Sequence, residues 1–205
     1  MIRRLIRRLL HPMRANEFVM GSVLKLESLA FSYPNRPLFE ELNYEASGAA
    51  LCCGNNGTGK TTLLRVVAGL LPPVCGTKTL NGKTTWRTSA FFDASVLMAN
   101  ETVACHLRWM RPLTDEPLDA EELGISGDIQ VRLLSAGKRR LLALRLASAM
   151  PADMLVADEP FAHLDAQACQ LVNRWFERAM ALGRFVMLSS PVLPSLTFHA
   201  DIWKL

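Results

Sequence analysis

Three features of the chain predict an α/β fold built on a mainly parallel core sheet. Short, continuously apolar runs at Ala49–Cys53, Met154–Ala157 and residues 185–189 have the character of strands covered on both faces. They alternate with stretches of helical pattern at residues 63–71, 101–150 and 166–182. The first run also breaks into a glycine-rich turn that leads straight into a helix, the connection expected in a parallel α/β sheet.

Composition is consistent with that class and excludes several others. Of 205 residues, half are apolar and a fifth are charged, with 12 Gly and 11 Pro, so the chain is neither disordered nor collagen-like. No window of about 18 uncharged apolar residues exists, which excludes an integral channel or receptor. The net charge of +4 comes from the start of the chain, where Arg3, Arg4, Arg7, Arg8 and Arg14 all precede the first acid, Glu17. Elsewhere the signs nearly balance, and no nucleic-acid partner is expected. Five cysteines, Cys52, Cys53, Cys75, Cys105 and Cys169, form no CxxC pair and have no histidine at zinc-ligand spacing. An odd count of free thiols points to a reducing compartment. Cys52 and Cys53 are expected to be buried on their strand.

In chain order, residues 1–22 form a basic amphipathic segment. Ile2, Leu5, Ile6, Leu9 and Leu10 recur at helical spacing, with four arginines on the other side and Pro12 as the stop. Three accounts stand: a start read upstream of Met13 or Met20, contact with an anionic membrane surface, or an organelle presequence. The remainder, 23–205, is expected to be one domain. It opens with strands at 23–29 and 42–46, separated by a turn at Tyr33-Pro34-Asn35-Arg36-Pro37. After Ala49–Cys53 the helix of 63–71 is stopped by Pro72-Pro73, and residues 77–92 are β-rich. A largely helical part covers about 101–150, interrupted by a polar stretch at 112–128.

The chemistry is concentrated at two places. Gly54-Asn55-Asn56-Gly57-Thr58-Gly59-Lys60-Thr61 satisfies G-x-x-x-x-G-K-[ST] between a buried strand and a helix, with Thr62 following. Glycine at 54, 57 and 59 is expected to supply positive φ, so that backbone N–H groups face phosphate oxygens. The helix N-terminus adds partial positive charge, Lys60 a mobile cation, and the Thr61 hydroxyl a ligand for Mg²⁺. The second place is Asp158-Glu159, where the buried run Met154–Ala157 emerges. Asp158 is placed to hold Mg²⁺ through water, and Glu159 to polarise the water that attacks ATP.

Two further elements carry a resemblance. Leu134-Ser135-Ala136-Gly137-Lys138 precedes the acids, and Ala162-His163-Leu164-Asp165 follows them. In this order the motifs resemble those of the ATP-binding subunits of ABC transporters, whose LSGGQ-like signature and SALD-like D-loop flank the metal-binding acids. The resemblance covers residues 23–205. It implies a P-loop NTPase fold of ABC type, with an N-terminal antiparallel β part and a helical signature subdomain. It also implies a homodimer packed head to tail around two ATP molecules, with the signature (Ser135, Ala136, Gly137, Lys138) capping the partner's γ-phosphate and Asp165 organising the interface. Tyr33 matches the aromatic residue that stacks on adenine, or is an ordinary turn tyrosine.

The family pattern is broken at three positions. Pro191 follows the last buried run where the switch histidine is expected, and a proline side chain cannot bond to phosphate. Asp93 or Ala94 takes the Q-loop glutamine position, where Asp93 can still reach the metal's water shell. Lys138 replaces the signature glutamine. These departures set an alternative beside the active ATPase: a nucleotide-gated structural subunit that hydrolyses little. Chromosome-maintenance ATPases share the signature but carry long coiled-coil insertions, which this chain lacks.

Within the family, several details are similar to the CcmA-type haem-exporter ATPases of cytochrome c maturation. They are the LSAGK-Arg139-Arg140 stretch, Asp158-Glu159-Pro160-Phe161, and the run from Thr102 to Trp109. That likeness implies integral membrane partner subunits of the haem-exporter type, and a peripheral position on the cytoplasmic face of the inner membrane. The matrix face of the mitochondrial inner membrane is the organellar equivalent, and an ABC ATPase for another cargo is the broader alternative. No direct haem binding is expected, since neither His106 nor His163 lies in a CxxCH motif.

Overall fold

A computed structural model describes residues 21–34, 36–114 and 116–205. The short basic amphipathic helix expected to end near Pro12 lies outside the described residues, as does the rest of the segment 1–22 apart from Gly21 and Ser22. The three buried runs are strands β3 (Ala49–Cys53), β6 (Met154–Ala157) and β7 (Phe185–Ser190). With β5 (Thr88–Phe91) and β8 (Asp201–Lys204) they form a five-stranded sheet in the order β5-β6-β7-β3-β8. All its pairings are parallel.

Continuous apolar character is explained by the two faces of this sheet. Ala49, Leu51, Leu155, Ala157, Val186 and Leu188 pack into one core, while Ala50, Cys52, Met154, Val156, Phe185 and Met187 pack into another. Alternate side chains of a strand face opposite ways, so a sheet covered twice needs apolar residues at every position. Cys52 is fully buried, and burial pushes its thiol pKa up. Cys53 is only half-buried, contrary to expectation, because it sits where β3 runs out into the glycine-rich turn.

The second sheet is antiparallel, with β1 (Val23–Tyr33) between β2 (Arg36–Ser47) and β4 (Cys75–Leu80). Its register shifts between Leu26 and Leu29, with Ser28 at φ 46°, so Leu24, Leu26, Leu29 and Phe31 all reach the core. Helix α1 (Lys60–Val67) packs into that same core, with Leu63, Leu64, Val66 and Val67 fully buried. Each such side chain contributes about 1.5–3 kcal/mol by leaving water. The helix ends earlier than the proline pair suggested, at Val67, where Gly69 at φ 82° turns the chain away.

The opposite face carries α3 (Ala136–Ala149) and α4 (Ala166–Ala181). Between β5 and α3 lie α2 (Val103–Met110), capped by the Thr102 hydroxyl, and three 3₁₀ turns. Among the described residues of the polar stretch 112–128 there is no α-helix, as expected. It is anchored by Arg145 of α3, 2% exposed, which donates to Glu122 at 2.9 Å, Glu116 at 3.0 Å and the Pro117 carbonyl at 2.8 Å. A buried cation is tolerable only when paired in this way.

Candidate functional site

The glycine-rich turn lies between the end of β3 and the first residue of α1, Lys60. Gly57 and Gly59 have φ of 86° and 108°, a region that side-chain-bearing residues rarely adopt. Gly54 is needed for a different reason. Its φ is not positive; a Cβ there would sit 2.4 Å from the carbonyl oxygen of Leu205, which closes over β3 with Leu205 N–H donating to Cys53 O at 3.0 Å. Asn55 and Asn56 are exposed at the tip, and the Thr58 hydroxyl donates to Asn55 O at 3.1 Å. The Lys60 ammonium, 5% exposed, donates to the carbonyls of Gly54 and Asn55, both at 2.8 Å. An ammonium has three donors, so one N–H is left for a phosphate oxygen.

Parallel pairing of β6 with β5 and β7 brings Asp158 to the same place. Its N–H donates to Phe91 O at 2.8 Å, and its Oδ2 accepts from the Thr61 hydroxyl at 2.7 Å. The Ser189 hydroxyl, fully buried, donates to Asp158 Oδ1 and accepts the Glu159 N–H at 2.9 Å. Glu159 adopts φ 46°, and its carbonyl accepts from Arg140 at 2.6 Å. Burial lowers the Arg140 guanidinium pKa against the pull of the Glu159, Asp158 and Asp93 carboxylates. Arginine remains charged regardless.

Tyr33 lies beside the start of α1. Its hydroxyl is 3.2 Å from Thr62 Oγ1 and its ring meets Phe31 edge-on at 5.0 Å, leaving it 39% exposed. Asp93 turns back on its own loop, accepting Ser95 N–H at 2.6 Å; the Ser95 side chain first, and its backbone second, hold the Asp93 carboxyl below the usual range. Among the described residues no hydrogen bond joins it to Thr61 or Asp158. Pro191 stands where β7 ends and lines, with Glu159, a cavity of about 630 Å³.

The signature is placed elsewhere on the chain. Ser135 caps α3, its hydroxyl accepting Lys138 N–H at 3.2 Å, and Lys138 Nζ donates to Gly124 O at 3.0 Å. Ser135, Ala136, Gly137, Lys138, His163 and Asp165 line a cavity of about 720 Å³ that no residue of 54–62 lines. Gly137 lies close under the D-loop, where a Cβ would be 3.0 Å from His163 O. Asp165 caps α4, accepting Ala168 N–H at 2.8 Å. The structure thus joins Thr61 to Asp158, with Lys60 and Glu159 as their chain neighbours, and separately joins the signature with Asp165.

Sequence reasoning missed Ser189 and Arg140. Two serines closing a fully apolar strand were a usable signal for the first. The second entered only as part of the basic stretch after the signature, with no role of its own.

The chemistry of the Thr61–Asp158 pair fits Mg²⁺. Both are hard oxygen donors, and among the described residues no group of three or more His, Cys, Asp or Glu side chains forms a metal cage. A magnesium ion held by few protein ligands, with phosphate and water completing its octahedron, suits such a pair.

Comparison with known proteins is consistent across sequence and fold. The family model described as ABC transporter matches residues 41–162. The cytochrome c biogenesis ATP-binding export protein CcmA of Xanthomonas campestris is 38% identical over 185 residues, covering 82% of this chain and 86% of that one. The protein of the same name from Idiomarina loihiensis is 30% identical, with 82% and 85% covered. The taurine import ATP-binding protein TauB of Mesorhizobium japonicum is 32% identical over 162 residues, with 70% and 63% covered. In fold, the chain is similar to an ABC transporter ATP-binding protein of Pyrococcus furiosus, with TM-score 0.73, 20% identity, and 90% and 98% covered.

Proposed function

The chain belongs to the ABC transporter family as an ATP-binding subunit, and from that premise we propose that it is the Mg-ATP-hydrolysing subunit of the haem exporter serving cytochrome c biogenesis. The observation that carries the hydrolytic reading is the Thr61–Asp158 bond at 2.7 Å, which brings the phosphate-binding turn and the acidic strand end to one point. The cargo reading is supported by the 38% identity to the cytochrome c biogenesis export protein.

In this reading Lys60 and the N–H groups of residues 57–61 bind the β- and γ-phosphates, and Tyr33 stacks on adenine. Thr61 and Asp158 hold Mg²⁺, which when bound neutralises charge on the transferred phosphoryl group. Glu159 takes a proton from the attacking water. Two copies pack head to tail, so that Ser135 and the α3 N-terminus cap the γ-phosphate in the partner's P-loop and Asp165 lies at the interface. What supports that arrangement is the 720 Å³ cavity, which gathers signature and D-loop away from the chain's own P-loop.

Among the described residues no helix is long and apolar enough to cross a membrane. From its likeness to the cytochrome c biogenesis export protein, the chain is proposed to sit peripherally at the cytoplasmic face of the inner membrane, on integral subunits of haem-exporter type. It is proposed not to ligate haem. Both His106 ring nitrogens are already engaged, by Met98 N–H at 3.0 Å and Thr102 O at 2.9 Å.

A second reading, a nucleotide-gated structural subunit, is favoured by Pro191 beside Glu159 and by the inward turn of Asp93. Mg-ATP turnover by the chain assembled with its membrane subunits separates the two. Glu159→Gln is expected to keep ATP binding and stop turnover. No turnover in the unaltered chain, with ATP still bound, refutes the hydrolytic reading in favour of the structural one.

A further inference from the structure

We propose that Arg140 is a positioning residue for hydrolysis. Carried by the signature helix α3, it holds the Glu159 main chain in its left-handed conformation, and so ties the base of a chain's own nucleotide site to the helix that caps the partner's nucleotide. The first half of this rests on contacts within one chain. The second half rests on the head-to-tail reading given above.

Glu159 at φ 46° carries a side chain in a region costing roughly 1–2 kcal/mol. Such a residue persists only where its surroundings over-determine it. Here both of its peptide groups are pinned. Its N–H goes to Ser189 at 2.9 Å, and its carbonyl accepts Arg140 at 2.6 Å and Ala162 N–H at 3.1 Å. Arg140 also reaches Asp158 O at 3.4 Å, so one guanidinium spans the two acids' main chain. Releasing it frees the Glu159 peptide to relax towards negative φ, which redirects the Glu159 side chain.

Arg140 is itself held in place, with its guanidinium 5.1 Å from the centroid of the Phe91 ring. Its Nε is buried with no hydrogen-bond partner. An apolar residue of similar length would fill the same space without burying an unsatisfied donor. A guanidinium retained at that cost is explained by the carbonyl it holds, not by packing.

The link to the signature follows from helix geometry. Ser135 caps α3 and Arg140 lies five residues on, about 7.5 Å along the axis of a rigid 14-residue helix. Movement of Ser135 onto a phosphate is therefore transmitted to the Glu159 carbonyl.

The test uses the chain in its membrane complex. Arg140→Met is expected to lower kcat about 10- to 100-fold, as a misplaced catalytic group does, with KM for ATP changed less than about threefold. Arg140→Lys should restore part of the loss. A fall in melting temperature with kcat unaltered, or a loss confined to KM, overturns the proposal. Mixed dimers in which one chain carries Lys60→Ala then separate the two halves. Arg140→Met should act on the chain with the intact P-loop, and Ser135→Arg on the opposite chain. Arg140→Met acting from the opposite chain overturns the proposal. Ser135→Arg acting within the intact chain overturns the head-to-tail reading and the link built on it, and leaves Arg140 as a positioning residue for Glu159 alone.

Discussion

Ser189 offers a sharp test of how the acidic site is built, because one buried oxygen serves both acids. Replacing it by alanine removes that oxygen and adds no volume. Two interactions go with it: the hydrogen bond to the Asp158 carboxylate and the acceptor for the Glu159 N–H. A hydrogen bond to a charged group contributes about 1.5–3 kcal/mol and a neutral one about 0.5–1.5 kcal/mol. Ser189 is fully buried, so water does not easily replace either. Ser189→Ala should therefore cost about 2–4 kcal/mol, lowering the melting temperature by about 4–16 °C for a chain of this length. Ser190→Ala is the control. Ser190 lines the cavity beside Pro191 and its side chain makes no hydrogen bond among the described residues, so its loss should cost under about 1 kcal/mol. Urea and thermal unfolding of the full chain measure both. Equal costs for the two variants, or a Ser189→Ala cost below about 1 kcal/mol, would refute the reasoning.

Other consequences follow from the same geometry. Lys60→Ala should abolish ATP binding, read by titration with a fluorescent ATP analogue; tight binding retained would contradict the P-loop role. Gly54→Ala should cost about 1–3 kcal/mol by forcing the Leu205 carbonyl away, whereas Gly57→Ala, with no atom within 4 Å of the added methyl, should cost only its backbone strain. Thermal unfolding ranks the two, and the reverse order would be inconsistent with the close approach at Gly54. Partial burial pushes the Asp153 carboxyl up, but hydrogen bonds from Arg87 outweigh it and hold its pKa below the usual value. A depressed carboxyl pKa stabilises the fold fully above the unfolded value and loses that effect as pH falls through the folded one. Arg87→Ala should thus destabilise more at about pH 7 than at about pH 3, and an equal loss at both would show that the pair does not act through this charge.

What the sequence disclosed depended on how local each interaction is. The phosphate-binding turn was legible because Lys60 reaches carbonyls only five and six residues away, and its glycines lie within one loop. Asp158 and Glu159 were legible because an apolar strand leads directly to them. Ser189 was not, since its bond to Asp158 spans 31 residues and exists only because β6 and β7 pair with Ala157 opposite Leu188. Nothing in the residues themselves encodes that register. Strand β2 was read short for another reason. Between Arg36 and Leu42 only Phe39 is buried, so the run lacks the apolar signal that marks the central strands. Gly54 was assigned the wrong role because positive φ is the commoner reason for a loop glycine, whereas the approach of Leu205 joins residues 151 apart in the chain.

Arg140 shows why such contacts matter more than their number. Residues that touch the nucleotide must have particular chemistry, and they leave motifs. Residues that hold those groups need only reach them, and any long donor on a suitably placed helix will serve. The left-handed Glu159 is where the two classes meet: a motif residue whose conformation depends on Ser189 from β7 and Arg140 from α3. In the proposed mechanism the placement of Glu159 then depends on two supports, one from β7 and one from the signature helix. A proline at position 191 is compatible with that arrangement, because neither support passes through the side chain that follows β7.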